Sequence, residues 1–295
     1  GEKMKYTIRH VTTYKYSDKV SLTQNHARLI PLNTFNQKRI SASVTIVPEP
    51  DYQAEFKDYF DNTVTVFEIP TLHEEMQVIA TSEVEIQGAP LQGLFAHNTQ
   101  WENVRDQIRY PVDQSMLAAQ FFSIPTRLTQ ANKAILDYTL ASFTPNRPIV
   151  ESCDDLMNRI FNDFTFDPSF STINTPVSHV FEHKRGVCQD YAHLTLTCLR
   201  SIGLAARYVS GYIETIPPPG QEKLTGADAT HAWVALFVPG SGWIDYDPTN
   251  NLKPYDQHVT LAVGRDFADI TPLKGIMFGG GNQVLDVSVD MNRGQ

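Results

Sequence analysis

The sequence predicts an α+β protein in which a small all-β domain precedes a helix that leads into an antiparallel sheet. Three observations carry this. Up to about residue 90, short apolar–polar alternations are separated by turn residues. From about residue 97 the apolar spacing turns helical. After a cysteine-headed helix at 188, three strand-like runs follow, joined by a loop and a tight turn.

In the first region Tyr6 and Ile8, Val44 and Ile46, and Val64 and Val66 alternate with polar residues, and Glu83-Val84-Glu85-Ile86 alternates most cleanly. Pro48-Glu49-Pro50, Asp61-Asn62 and Gly88-Ala89-Pro90 mark the turns, so a small sandwich or barrel is expected. Next, Leu128, Ala131, Ile135 and Tyr138 share one helical face. Ser152 and Asp155 read as a capping box opening a helix that turns Leu156, Met157, Ile160, Phe161 and Phe164 inward. Pro145 and Pro148 form the joint between these helices. A short helix is expected from Pro176 to Lys184, stopped by Gly186.

Residues 188–202 read as a helix closed by Gly203. Strands are expected over 205–216, 230–238 and 243–246, with a loop at 217–226 placed to cover a cleft and a turn at 239–242. The tail alternates Leu285, Val287, Val289 and Met291, a late strand with the N-terminal sheet as its candidate partner. The expected divisions are 1–96 (β domain), 97–148 (helical connector), 149–268 (catalytic core) and 269–295 (C-terminal strand segment).

With 295 residues the chain is long enough for one large domain or two modest ones. Its composition is 41% hydrophobic and 19% charged, which excludes disorder, collagen and coiled coil. A net charge of −9 with no Lys/Arg run opposes phosphate backbones and anionic lipid, so neither nucleic acid nor a membrane is expected as a partner. Cys153, Cys188 and Cys198 are too few for a disulfide framework. No apolar run approaches membrane-spanning length, and residues 1–6 lack the apolar stretch of a secretory signal, so the expected location is cytoplasmic.

The chemistry gathers around Cys188. A helix N-terminus presents free N–H groups and a positive dipole end, both of which favour a thiolate. His231 shares a strand face with Trp233, and Asp245 and Asp247 share a face of the next strand with Trp243. A hairpin between these strands brings one of the two carboxylates to His231, and alternation alone does not choose between them. Nucleophile, base and orienting carboxylate then follow in the order Cys, His, Asp, 43 and 16 residues apart if the second is Asp247.

Gly186-Val187-Cys188-Gln189-Asp190-Tyr191-Ala192-His193 resembles the nucleophile motif of the transglutaminase-like superfamily. Thr230-His231-Ala232-Trp233-Val234 resembles its histidine motif, and Gly242-Trp243-Ile244-Asp245-Tyr246-Asp247-Pro248-Thr249-Asn250 its aspartate motif. The first 90 residues are similar to the β domain that precedes this core in bacterial members. The resemblance implies a papain-like core and thiol-dependent acyl transfer through a thioester, with Cys188 as nucleophile, His231 as base and Asp247 as orienting carboxylate. It implies a peptide or protein substrate, with water or an amine as acyl acceptor. Hydrolysis is expected because nothing in the sequence marks an amine-acceptor site, with cross-linking or a non-catalytic binding scaffold as the alternatives and no cofactor or metal. Animal transglutaminases use a tryptophan as an oxyanion donor. Here Phe164 or Phe166 holds that place, and Gln189, Trp233 and Trp243 are the candidates for cleft or oxyanion support. His193, Cys198 and Cys153 read as packing residues, and Asp190 as a helix-end charge. A zinc reading through Cys188, His193, Cys198 and His231 lacks a familiar ligand spacing. The sequence leaves oligomeric state open.

Overall fold

A computed structural model describes residues 2–88, 96–226 and 228–294. Ala89 and Pro90 of the expected turn therefore lie outside the described residues. The spine of the N-terminal sheet is β1 (Lys3–Ala27), far longer than the Tyr6–Ile8 alternation suggests. Its aromatic and β-branched residues keep Tyr6, Ile8, His10 and Thr12 facing inward in turn. A register shift between Lys15 and Val20 divides it into two halves. The first half lies between β5 (His73–Gln87) and a C-terminal strand over Gln283–Arg293; the second lies between β4 (Thr63–Ile69) and a strand over Leu273–Gly279. β2 (Gln37–Val47) and β3 (Tyr52–Lys57) flank β5 and β4, and all these pairings are antiparallel.

Six α-helices follow among the described residues: α1 (Trp101–Arg109), α2 (Gln114–Gln120), α3 (Lys133–Leu140), α4 (Ile149–Asp163), α5 (Val177–His183) and α6 (Cys188–Ser201). Two boundaries differ from expectation, while α5 ends where expected. Asn132 caps α3 by accepting from the Ile135 N–H at 2.9 Å, which leaves Leu128 and Ala131 ahead of the helix. α4 opens directly after Pro148, and Ser152 lies inside it, its hydroxyl donating back to the Pro148 carbonyl at 2.9 Å. Leu156, Met157 and Ile160 are buried there, but Phe161 faces out. α5 stops at Lys184, itself left-handed at φ 58, before Gly186 is reached.

α6 is buried along almost its whole length and packs on a second sheet of order β10–β9–β8–β11. These strands are β8 (Ala206–Ile213), β9 (Ala229–Val238), β10 (Gly242–Tyr246) and β11 (His258–Gly264). β11 is absent from the sequence reading because Val259, Leu261, Ala262 and Val263 are all buried, so no clean alternation marks it. Its edge is closed by two side-chain amides of the N-terminal half. Gln37 bonds both the N–H (2.8 Å) and the carbonyl (2.9 Å) of Thr260, and Asn62 does the same to Val263 at 2.8 Å each. Each amide supplies the donor–acceptor pair that a neighbouring strand would otherwise supply. Arg200, near the end of α6, is 3% exposed and gives its protons to the carbonyls of Phe122, Ala206 and Arg265 and to the Thr129 hydroxyl. One hydrophobic core runs from the N-terminal sheet through the helices to α6.

The last two strands are β12 (Leu273–Gly279), which the sequence reading missed, and β13 (Gln283–Arg293). Both lie on β1, so the tail returns to the N-terminal sheet. Val289 and Met291 are buried, while Leu285 and Val287 face solvent. The 217–226 loop is tied to this tail. The Gly226 N–H donates to Asp290 at 2.5 Å, and Lys223 meets Asp228 at 2.8 Å and the Met291 carbonyl.

Candidate active site

Cys188 is the first residue of α6, half-buried, with Val187 as N-cap. The Asp190 carboxylate accepts from the Val187 N–H at 2.9 Å and from the Ser171 hydroxyl. Asp190 therefore closes the helix start and anchors the 167–175 loop to it. Burial raises its pKa, and these two hydrogen bonds pull in the opposite direction. Gly186 is needed for this closure: a Cβ there would stand 2.6 Å from the Asp190 Cβ.

His231 lies on β9, 9% exposed, within electrostatic reach of Cys188. Its Nε2–H donates to Asp247 Oδ2 at 2.8 Å, which leaves Nδ1 to the thiol. Asp247 follows β10, where its backbone pairs with Leu252 across a tight turn, and its side chain is wholly buried. The alternation that leaves Asp245 and Asp247 equivalent is thus resolved by position. Asp247 meets His231, whereas Asp245 lies on the side of Arg207, whose guanidinium it stabilises.

Two further residues hold Asp247 and were not singled out from the sequence. Asn250 donates through Nδ2 to Oδ2 at 2.9 Å and through its N–H to Oδ1 at 3.3 Å. The Asp-Pro-Thr-Asn spacing carries a signal for this, since an Asp side chain readily accepts from an N–H three residues on. His258, on β11, donates its Nε2–H to the same Oδ2 at 2.8 Å. Nothing local in the sequence announces His258; it reaches the site only through the pairing of β11 with β8.

Gly211 makes that meeting possible. It sits on β8 opposite His231 and Thr260, with a Cβ position 1.9 Å from the Val259 carbonyl oxygen and 2.6 Å from the Trp233 ring. The missing side chain lets the Trp233 indole cross β8 and meet His258 edge-on at 5.0 Å. Trp233 is 1% exposed and lies under both histidines, as a floor rather than an accessible donor. Trp243 does not wall the cleft. It pairs with Phe237, six residues along β9 from His231, roughly 20 Å away at strand rise. There it packs on Phe122 and Phe237 under Arg207. Gln189 is half-buried beside Cys188 in the first turn of α6. Of the two aromatics before the nucleophile helix, Phe164 is buried against Tyr191 and Phe166 faces solvent. Tyr208 on β8 is buried within electrostatic reach of Cys188, and burial holds its phenol protonated.

The electrostatics are those of a charged pair. Burial pulls His231 toward its neutral form, but the hydrogen bonds and charges of Asp247 and Cys188 outweigh it and raise its pKa. Burial likewise works against the Asp247 anion, and the bonds from His231 and His258 overcome it and hold the carboxyl well below its usual range. His231, Asp247 and His258 offer ligand atoms close enough for a metal. Their 2.8 Å separations are hydrogen-bond lengths, however, and a zinc ion needs about 2.0–2.2 Å to each with the N–H protons gone. His193 and Cys198 do not join Cys188 in a ligand set. His193 accepts from the Phe267 N–H, with burial pulling its pKa down to about 4, and burial pushes the Cys198 thiol up to about 11. Cys153 is buried, its thiol pushed up as well. A cavity of about 520 Å³ lies elsewhere, against the N-terminal sheet, lined among others by His26, Tyr52 and Lys274.

Residues 6–85 match the bacterial transglutaminase-like N-terminal region, and residues 137–248 match the transglutaminase-like superfamily core. An uncharacterised Mycobacterium tuberculosis protein is 36% identical over 295 positions, covering 97% of this chain and 92% of its own length. The chain belongs to the transglutaminase-like superfamily. A second mycobacterial relative, from Mycobacterium leprae, is 30% identical across 97% of this chain and 98% of its own. Among solved structures, a candidate cysteine protease from Cytophaga hutchinsonii superposes with a TM-score of 0.77 at 20% identity, covering 99% of this chain and 91% of that one. The α+β fold, with a papain-like transglutaminase core behind an all-β region, is therefore shared over the full length. A Pseudomonas aeruginosa protein-glutamine gamma-glutamyltransferase matches over 107 residues at 30% identity, which is 34% of this transglutaminase-like chain and 16% of that protein. No helix among the described residues is long and apolar enough to cross a membrane.

Proposed function

We propose that this transglutaminase-like protein hydrolyses an amide or peptide bond in a peptide or protein substrate, with Cys188 as nucleophile. The observation that carries the reading is the 2.8 Å bond from His231 to the buried Asp247, with Cys188 at the head of α6 within electrostatic reach of the same imidazole. The Cys188 sulfur attacks the substrate carbonyl carbon, and the oxyanion that forms faces the N-terminal N–H groups of α6. His231 gives its Nδ1 proton to the departing amine as the C–N bond breaks, leaving an acyl thioester on Cys188. Water then attacks the thioester carbonyl, His231 takes the proton, and the carboxylic acid leaves with the thiolate restored. Asp247 fixes the ring so that Nδ1 faces sulfur, while His258 and Asn250 fix Asp247. Cys188 is only half-buried, which gives water access to the thioester.

The test is iodoacetamide labelling mapped to Cys188 at pH 6.5. Under this reading the parent labels at least about tenfold faster than His231→Ala, because the imidazolium no longer stabilises the thiolate. Equal rates would remove the ion pair and leave a non-catalytic binding scaffold as the better account. Cross-linking is the second reading, favoured by the segment shared with the Pseudomonas glutamyltransferase. Incorporation of a labelled primary amine into a glutamine-containing peptide, outrunning release of the free acid, would select it.

A further inference from the structure

α5 carries a feature that the acyl-transfer site does not use. His179, Glu182 and His183 stand at positions i, i+3 and i+4, so all three project from one face of the helix. Their ligand atoms lie within 4.8 Å of one another, and all three residues are exposed. We propose that His179, Glu182 and His183 form a surface site for a divalent transition cation, zinc in particular.

Two imidazoles one helical turn apart are how helices present paired nitrogen ligands, and a carboxylate supplies the third. The rings are already oriented. His183 Nδ1–H donates to the His179 carbonyl at 3.0 Å, which fixes its tautomer and leaves Nε2 with a free lone pair. Phe170 stacks on His179 at 5.3 Å and 7° between planes and tilts against His183 at the same distance, while the two imidazoles lie 4.2 Å apart. The neighbouring cations are drawn away. Lys184 Nζ lies over the Phe181 ring and donates to the Phe181 carbonyl, and Arg185 pairs with Asp167. Binding at the last turn of α5 also places positive charge where a helix end favours it. Two imidazoles and one carboxylate select an ion of the zinc, nickel and copper(II) group over calcium or magnesium. The remaining coordination positions face solvent and take water.

The site is tied to the head of α6. Phe170 lies in the same loop whose Ser171 bonds Asp190, and Asp190 closes the helix that begins at Cys188. A bound ion therefore braces the 167–175 segment through Phe170, which packs on both imidazoles.

The test uses the untagged full chain carrying Cys188→Ser, so that the thiol does not compete for metal. Titration with zinc chloride, followed by calorimetry, should show one equivalent bound and a raised melting temperature. Adding His179→Ala and His183→Ala should weaken binding by more than about tenfold and abolish the melting shift, with a smaller loss for Glu182→Gln. If the double variant melts lower without metal, the single variants His179→Gln and His183→Gln take its place with the same readouts. Zinc binding undiminished by these substitutions would place the ion elsewhere and overturn the proposal. So would no binding by the Cys188→Ser protein.

Discussion

Among the described residues, two clusters each set two histidines beside one carboxylate, in opposite surroundings. In one, His231 and His258 are buried and both give an N–H to a single oxygen of a buried Asp247. In the other, His179, Glu182 and His183 stand in water on a helix surface, with one imidazole fixed by a backbone carbonyl. Out of water, a carboxylate between two imidazoles is worth more as an anion holding protons in place than as a metal ligand. In water, screening removes that advantage, and lone pairs on a preset scaffold become the useful property. Chemical role is set here by burial rather than by residue type.

The comparison breaks most sharply at Asp247. Asp247→Asn keeps the shape and removes the charge; turnover, once a substrate is known, should fall roughly 10³–10⁴-fold, as when a triad carboxylate is neutralised elsewhere. A loss below tenfold would mean that the buried cluster is architectural. Gly211→Ala should destabilise the protein by about 3 kcal/mol, because its Cβ overlaps the Val259 carbonyl and the Trp233 ring. Denaturant midpoints measure this, and an unchanged midpoint would show that Trp233 is free to move off β8.

His258→Leu removes one donor from a buried anion. It should cost about 1.5–3 kcal/mol in stability and slow Cys188 labelling about tenfold, while His258→Gln, which keeps an N–H, recovers part of both. The pH dependence sharpens the contrast further. His231 has a raised pKa in the folded protein, so its stabilising contribution is full below its unfolded value near 6.5 and is lost as pH rises through the raised value. Urea unfolding of the parent against His231→Gln should therefore show a gap at neutral pH that closes on the alkaline side. The exposed cluster gives the smallest effect: His179→Ala should shift metal-free stability by less than about 0.5 kcal/mol.

The buried cluster was partly legible in the sequence and the exposed one was passed over. Cys188, His231 and Asp247 could be placed because each sits in a local motif on a recognisable helix or strand. The choice of Asp247 over Asp245 came from family resemblance, and structurally it depends on the turn that pairs Asp247 with Leu252. His258 was invisible since its strand is buried on both faces and its neighbours are chosen by sheet order, which no local pattern encodes. Trp233 and Trp243 looked alike because both share a strand face with a site residue. Hairpin register, fixed by the turn at 239–242, sets Trp243 opposite Phe237, four residues beyond Trp233 and away from His231. In the fold, β1 was underestimated because its middle is polar: Ser17, Asp18 and Lys19 are exposed where the pairing with β5 is interrupted, and the strand continues beyond them. The α4 start was misplaced because Ser152 satisfies its hydroxyl within the helix instead of capping it.

β1 has one further consequence, for the order of events during synthesis. Its first half waits for β13, with Tyr6 set against Arg293, so the first of the described strands completes its pairing with the last of them. At about 5–20 residues per second the intervening chain takes roughly 15–50 s to emerge. Through that interval one edge of a 25-residue strand stands open. The Glu214–Arg293 ion pair and the Asp228 bond to the Met291 N–H form only when β13 arrives, and they fasten the end of β8 and the start of β9, the strand that carries His231, to the finished sheet. The nucleophile and its base are thus joined to a scaffold that closes last, and an interrupted chain would carry the thiol without that final clasp.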